Sequence, residues 1–243
     1  MFKKEFIDIV NLSVKESKKF YSDSVNEKKP NPYFVGFGNP NAEIIIFGKE
    51  KGFDSKNNFQ QLKYESIENP NEWKNYVKKQ IGFNKIKYYD SEYYVNAYRP
   101  YYGKMRGGHT WNKYQHIIKK LYPEIEGKEN DFLDKTFLSE INFIPSKESN
   151  IKTFENKPRL DFFKNDFYKS FKIIILACGS YLNDVEIEKI FDVKFEKNIS
   201  KPRQRLIIYT GNKKILINTR QLSNSMKNEY LNSISNLIID YRK

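Results

Sequence analysis

The sequence predicts an α/β fold: a three-layer α/β/α sandwich around a mainly parallel sheet of about four strands. Residues 42–47 and 171–178 are short apolar runs, and each contains three consecutive isoleucines. Such runs are typical of strands buried on both faces, as in a parallel sheet covered by helices. Segments with apolar residues at helical spacing separate the runs, and polar residues follow them at their carboxyl ends.

In the N-terminal half, the pattern predicts helices on both sides of the first strand. Residues 2–20 place apolar side chains at helical spacing among lysines, which predicts an amphipathic helix. The strand at 42–47 follows, and a helix is expected over residues 72–79. Thr110 can N-cap the next helix, over residues 111–121, whose apolar side chains share one face.

The C-terminal half continues the alternation. Pro145 ends one apolar run, and the tetrapeptide TGNK separates two others, which is a hairpin signal. The predicted elements are a strand over 136–144, a strand over 171–178, a helix over 182–191, a hairpin of strands 205–209 and 214–218, and a helix over 226–241.

Composition favours a polyanionic partner. The 243 residues carry a formal net charge of +13 at pH 7, and the sequence pI is near 9.4. Clustered Lys and Arg side chains bind phosphates and release counterions, so DNA, double- or single-stranded, is the expected partner. The alternative is a generally lysine-rich chain whose charges are spread evenly over the surface.

Several classes of protein are disfavoured. No linker divides the chain, so one domain over residues 1–243 is expected, with residues 1–30 as an N-terminal helical extension. Without a signal peptide or an apolar run near about 18 residues, we expect a cytoplasmic protein with no membrane contact. Cys178 is the single cysteine and only two histidines occur, so no disulfide, metal or other cofactor is expected.

The strand ends supply the candidate site. Glu50 follows the first buried strand, Glu140 and Asn142 lie near the end of the second, and Asn218 ends the last. Right-handed crossovers bring the carboxyl ends of parallel strands to one edge of a sheet, where ligands bind. Residues 48–52, GKEKG, place charges between two glycines at this edge; the alternative there is an ordinary solvated turn.

A second candidate segment is residues 95–111, where Arg99, Lys104 and Arg106 alternate with tyrosines and two glycines follow. Interleaved cations and aromatic rings suit nucleic-acid backbones and bases. An aromatic surface loop packed on the sheet is equally compatible with the pattern. His109, at the end of this loop, is a more interesting histidine than His116, which lies within a helix.

Three short segments at strand ends match a known pattern in order and spacing: residues 48–52 (GKEKG), 179–181 (GSY) and 218–223 (NTRQLS). With them, the chain resembles the uracil-DNA glycosylase superfamily from about residue 36 to residue 223. The first motif of that superfamily reads GQDPY, GINPG or GEAPG, and the last reads HPSPLS or NPSGLS. Both signature prolines are absent here. The preceding GFGNPNAEIII is most similar to the iron–sulfur branch, whose four cysteines are missing, so no cluster is implied.

The resemblance implies roles for individual residues. Glu50 would stabilise positive charge on the sugar and orient or deprotonate the attacking water, and Asn218 would donate a hydrogen bond to the departing base. Glu140 would read the base edge, or Asn142 if the register differs by two residues. The other implied substrate contacts are Gly48, Lys49, Gly52 and Phe53.

The resemblance also implies contacts to DNA and a monomeric enzyme. Leu222 matches the apolar wedge that fills the space left by a flipped nucleotide. Lys49 is a plausible phosphate contact in addition to its place in the pocket. The other implied DNA contacts are Arg106, Ser180, Arg220 and Ser223.

The implied substrate is a modified or damaged pyrimidine. Gly52 stands where strict uracil enzymes carry a tyrosine that blocks C5 substituents, so bulky groups at C5 should be accepted. An ionised Glu140 would accept from the amine of cytosine. These two features favour a 5-substituted cytosine and an antiviral role, whereas a broad repair enzyme for uracil-type lesions is the alternative.

Two other classes of protein remain open. A metal-dependent nuclease could use Glu43, Glu50 and either Lys51 or Glu140 as a cluster on strand ends. A non-catalytic nucleic-acid-binding relative would keep the fold without the chemistry, and replacing Glu50 would leave its function unchanged.

Overall fold

The structure, a computed structural model, describes residues 1–52, 59–80, 97–100, 108–127, 130–145, 157–223 and 226–243. The strands are β1 (Phe37–Gly38), β2 (Ile44–Gly48), β3 (Thr136–Glu140), β4 (Ile173–Leu176), β5 (Lys194–Asn198), β6 (Leu206–Gly211) and β7 (Lys214–Thr219). The α-helices are α1 (Lys4–Phe20), α2 (Phe59–Leu62), α3 (Asn69–Lys79), α4 (Gly108–Leu121), α5 (Lys157–Phe163), α6 (Asp166–Lys169), α7 (Asp184–Phe191) and α8 (Asn228–Arg242).

All seven strands of the described ranges belong to one mixed sheet, in the order β1-β3-β2-β4-β7-β6-β5. The four central strands, β3, β2, β4 and β7, pair in parallel. The three outer pairings are antiparallel. The α/β class is therefore confirmed, whereas the prediction of a mainly parallel sheet of about four strands is wrong. The predicted hairpin forms as β6 and β7. The two other outer strands were missed because β1 has only two residues and every residue of β5 is exposed.

Helices cover both faces of the sheet because the side chains of each central strand alternate between two hydrophobic clusters. In β2, Ile45 and Phe47 face the first cluster and Ile44 and Ile46 face the second. The first cluster includes side chains from α1, α3, α5, α6 and α7. The second is closed mainly by α4 and α8. Each isoleucine buried this way contributes about 1.5–3 kcal/mol relative to an exposed one.

The N-terminal helix is part of this core. Phe6, Ile9 and Val10 of α1 are fully buried in the first cluster, where the Phe6 ring contacts Trp73 of α3 edge to face, with ring centroids 4.9 Å apart. Among the helices that the structure describes, none combines the length and apolarity needed to cross a membrane.

Two predicted boundaries shift for local reasons. The strand predicted over residues 136–144 ends at Glu140. Beyond it, the Asn142 side-chain oxygen accepts a 3.1 Å hydrogen bond from the Ile144 amide, which turns the chain. Helix α4 begins at Gly108, so Thr110 lies inside the helix and is not its N-cap.

Candidate functional site

The carboxyl ends of the parallel strands carry a carboxylate that is held by a tyrosine. Glu50 lies two residues beyond β2, and its Oε2 accepts a 2.6 Å hydrogen bond from the Tyr181 hydroxyl. Tyr181 reaches this position because the chain turns after β4 at Gly179, whose φ of +67° favours glycine. Two of the three predicted motifs, GKEKG and GSY, are thus in direct contact.

The two lysines that flank Glu50 have different surroundings. The Lys49 Nζ lies over the Tyr181 ring, 4.9 Å from its centre, and so lies next to the tyrosine that holds Glu50. Lys51 instead pairs with Glu65 at 2.5 Å in a largely buried ion pair. Lys49 therefore remains with the candidate site, whereas Lys51 ties the loop after β2 to the segment that precedes α3.

Asn218 presents a buried amide at the end of β7. Its side chain is fully buried, and neither Nδ2 nor Oδ1 makes a hydrogen bond of normal geometry to a described residue. In the sheet, Asn218 lies between Leu176 of β4 and Ile207 of β6. The Tyr209 hydroxyl on the same face donates to Asp184, and the neighbouring Asn218 amide partly offsets the rise that burial causes in the pKa of Tyr209. An unsatisfied buried amide costs about 1–3 kcal/mol, so a group retained in this state is a strong indication of a ligand site.

Glu140 presents a second unsatisfied group. The residue is partly exposed, but its Oε2 is buried and has no hydrogen-bond partner in the described part of the structure. Burial raises the pKa of this carboxyl to about 7, opposed most strongly by Lys51. A Cβ at Gly48, the neighbour of Glu140 in the sheet, would lie 3.5 Å from the Glu140 Cγ, so the glycine leaves room beside the carboxylate.

Arg159 fixes the end of β3 that carries Glu140. Its guanidinium is fully buried, 3.8 Å from the centre of the Phe34 ring and 4.4 Å from that of Phe163. It donates to the Glu140 carbonyl at 3.1 Å and to the Ser139 hydroxyl at 2.7 Å. The backbone at Glu140 is therefore held from the α5 side.

Arg205, just before β6, is a site residue that the sequence reasoning missed. The residue is half-buried, and its buried Nε bonds none of the described residues. Its carbonyl accepts a 2.6 Å hydrogen bond from Tyr230 of α8, which fixes the backbone. The sequence did contain a signal: Arg205 is a charged residue directly before an apolar run, and that run forms β6, which pairs with the strand that carries Asn218.

The four buried side-chain atoms without a partner in the described part of the chain belong to Glu140, Arg205 and Asn218. All three residues lie at the same edge, since β6 runs antiparallel and Leu206 pairs with Thr219 at the end of β7. Strands are about 4.8 Å apart, so the ends of β2 and β7, separated by β4, are about 10 Å apart. Glu50, which lies beyond the end of β2, and Asn218, at the end of β7, are therefore grouped at the same edge of the sheet.

The remaining predicted residues are distributed around this edge. Asn142 is buried and uses its side-chain oxygen in the turn after β3. Ser180 is exposed and Ser223 partly exposed. The Arg220 guanidinium donates to the Arg203 carbonyl at 3.1 Å. Both arginines line a cavity of about 590 Å³ beside α8, together with Lys227.

Leu222 does not occupy the position expected of a wedge. Its side chain is fully buried in the second core cluster, so the expectation that it projects toward DNA is not met. Phe53 and Arg106 lie outside the described residues. His116 bonds Asn232 of α8 at 3.1 Å, as expected for a structural histidine, and His109 is exposed at the start of α4.

The acidic cluster considered for a nuclease is not assembled. Glu43 precedes β2, at the opposite end of that strand from Glu50, and pairs with Arg242 at 3.3 Å. Within the described ranges, no group of three or more His, Cys, Asp or Glu side chains is arranged to hold a metal ion.

No family model, no curated protein and no solved structure matches the chain. Any function assigned to this edge of the sheet therefore rests on its residues and their geometry.

Proposed function

We propose that this protein is a DNA glycosylase that flips out a modified or damaged pyrimidine and hydrolyses its N-glycosidic bond, leaving an abasic site. The observation that carries this proposal is a tyrosine-held carboxylate, Glu50, just beyond the end of β2, together with a buried amide, Asn218, that has no hydrogen-bond partner among the described residues, at the end of β7. The ends of these two strands are about 10 Å apart. We further propose that the α/β/α arrangement is of the uracil-DNA glycosylase type, with its first and last motifs at the ends of β2 and β7.

The two groups suit the two charges of the reaction. When the C1′–N bond breaks, both electrons leave with the base and the sugar becomes an oxocarbenium-like cation. Glu50 stabilises that cation and takes a proton from the water that attacks C1′. Asn218 donates through Nδ2 to the base oxygen that gains negative charge, and the base anion is finally protonated by solvent. The products are one abasic sugar and one neutral base.

The pocket supports pyrimidines with substituents at C5. No described atom lies within 4 Å of the place where a Cβ at Gly52 would stand. Glu140, whose pKa is raised by burial to about 7, is available in both protonation states near neutral pH. The ionised form accepts from the amine of a cytosine, and the protonated form donates to the O4 of a uracil. Both uracil-type bases and 5-substituted cytosines are therefore candidate substrates, the latter in an antiviral role.

The positive charge supports a DNA partner. The net charge of +13 includes Arg203, Arg220 and Lys227 around the cavity beside α8, next to the strand that carries Asn218. Cations beside a base pocket hold the phosphates of the strand whose nucleotide enters it.

The test is an incubation in EDTA with DNAs carrying uracil, hypoxanthine, thymine mismatches, and 5-hydroxymethyl- or glucosylated cytosine. We expect a free base, identified by mass spectrometry, and heat-labile abasic sites in the DNA. Direct strand breaks that require a divalent metal would contradict the proposal and indicate a nuclease. DNA binding without any released base would indicate a non-catalytic protein.

A further inference from the structure

We propose that Arg205 is a catalytic residue that stabilises the negative charge on the departing base, together with Asn218. This inference rests on the proposed function and adds to it a cation at the leaving group. No motif of the sequence assigns a role to Arg205.

The first support is the position of Arg205 relative to Asn218. In the β6–β7 pairing, Ile207 lies opposite Asn218, and Arg205 precedes Ile207 by two residues. Residues two apart on a strand share a face, and diagonal cross-strand neighbours lie about 7–8 Å apart. An extended arginine side chain covers this distance.

The second support shows where the guanidinium is directed. Burial raises the pKa of the Cys178 thiol to about 12, and Arg205 opposes that shift more strongly than any other group, followed by Lys49. Cys178 lies beyond β4, on the far side of β7 from Arg205. The guanidinium therefore acts across the end of β7, where Asn218 lies between the two residues.

The third support is that these donors have no hydrogen-bond acceptor among the described residues. The Arg205 Nε and both polar atoms of the Asn218 amide are buried and, within that part of the chain, unbonded. A donor from each residue is thus available to a single acceptor. A base that leaves with the electron pair of the broken bond is such an acceptor, and a preorganised cation in a buried site favours it strongly. No co-reactant is needed, because Arg205 neither gains nor loses a proton.

The test compares Arg205→Met with Lys213→Met under single-turnover conditions. Each change removes one positive charge, but Lys213 is exposed in the β6–β7 turn, at the opposite edge of the sheet. The Met side chain keeps the apolar stem of Arg205, and the bond from Tyr230 to its carbonyl is unaffected. We expect Arg205→Met to slow base release by about 10²-fold or more, and Lys213→Met to have almost no effect. Arg205→Lys should recover part of the loss.

Leaving-group dependence separates catalysis from a structural role. The rates are measured on DNA that contains the 5-methyl or the 5-fluoro form of the accepted base. Fluorine withdraws electrons and stabilises the base anion, so the loss caused by Arg205→Met should be several-fold smaller with the 5-fluoro base. Equal losses of rate on both bases, or no loss on either, would overturn the catalytic role of Arg205. The proposed function would still stand in that case, provided that the wild-type protein releases the base. A wild-type protein that releases no base from the DNA panel would overturn both.

Discussion

The Tyr181 hydroxyl donates a 2.6 Å hydrogen bond to Oε2 of Glu50, which joins the loop after β4 to the loop after β2. A carboxylate fixed in this way cannot rotate freely, so its orientation at this edge of the sheet is defined. Preorganisation of this kind is what distinguishes a catalytic carboxylate from a solvated surface one.

We expect Glu50→Gln to reduce base release by about two orders of magnitude or more, because the amide neither stabilises an adjacent cation nor accepts the proton of water. DNA affinity should change little. The measurement is single-turnover release together with equilibrium binding. Glu43→Gln, at the other end of β2, is the matched control and should keep full activity. A fully active Glu50→Gln variant would show that the catalytic carboxylate lies elsewhere.

Asn218→Leu should separate activity from stability. Removing the donor should cost roughly 3 kcal/mol of transition-state stabilisation, while replacing a buried, unpartnered amide by an apolar group should leave the protein as stable or up to about 1–3 kcal/mol more stable. Urea unfolding and base release are measured on the same preparations. Asn142→Leu is the control, since its amide oxygen is bonded and its loss should destabilise. A destabilised Asn218→Leu variant would mean that the amide serves the fold.

Base preference should depend on pH through Glu140. Burial raises its pKa to about 7, so the carboxyl is mostly protonated one unit below that value and mostly ionised one unit above it. The ratio of cytosine-type to uracil-type release should therefore rise with pH across this range. Competition assays with both bases in one reaction measure this ratio. In Glu140→Gln the ratio should become independent of pH, and a wild-type ratio that is also constant would remove Glu140 from base reading.

DNA affinity should fall steeply as salt increases, because the net charge of +13 favours binding through phosphate contacts and counterion release. Titrations between low and physiological salt give the slope. Arg220→Met should reduce the slope by about one unit, as expected for one lost phosphate contact. Lys213→Met, in the β6–β7 turn at the opposite end of these strands, should leave the salt slope unchanged. A flat profile for the wild type would point to a different partner.

Leu222→Ala should act on stability. The side chain is fully buried in the second core cluster, and truncation of such a leucine costs about 2–5 kcal/mol. The free energy of unfolding in urea measures the effect, with Val185→Ala as the control because Val185 is 74% exposed. Unchanged stability in Leu222→Ala, combined with slower base flipping, would restore the wedge assigned to this residue from the motif.

The central strands could be predicted because their signal is local. Three consecutive isoleucines in β2 and in β4 fit only a strand covered on both faces, and the structure buries all of them. Strand β5 carries no such signal, because all five of its residues are exposed; it is held by its pairing with β6 and by hydrogen bonds to Glu188 of α7. Strand β1 is two residues long.

The site could be predicted in part for a similar reason. Glu50 follows an apolar run and Asn218 ends one, so their place at the sheet edge follows from strand direction alone. The burial of Leu222 depends on packing against distant elements, which the polar residues around it in the sequence conceal. Arg205 was missed because a residue before an antiparallel strand reaches this edge only through the hairpin pairing of β6 with β7.

The exposed outer strand β5 has a consequence for behaviour at high concentration. A sheet edge offers unpaired backbone groups to which another chain can add, which is a route to aggregation. Along β5, Lys194, Glu196 and Lys197 surround a shift in pairing register that follows Phe195. Charges and an irregular ladder disfavour the addition of a further strand along β5. On the other side of the sheet, the Gly38 amide of β1 already donates to the Ala97 carbonyl at 2.8 Å. A sheet with such apolar central strands thereby gains protection from self-association along β5.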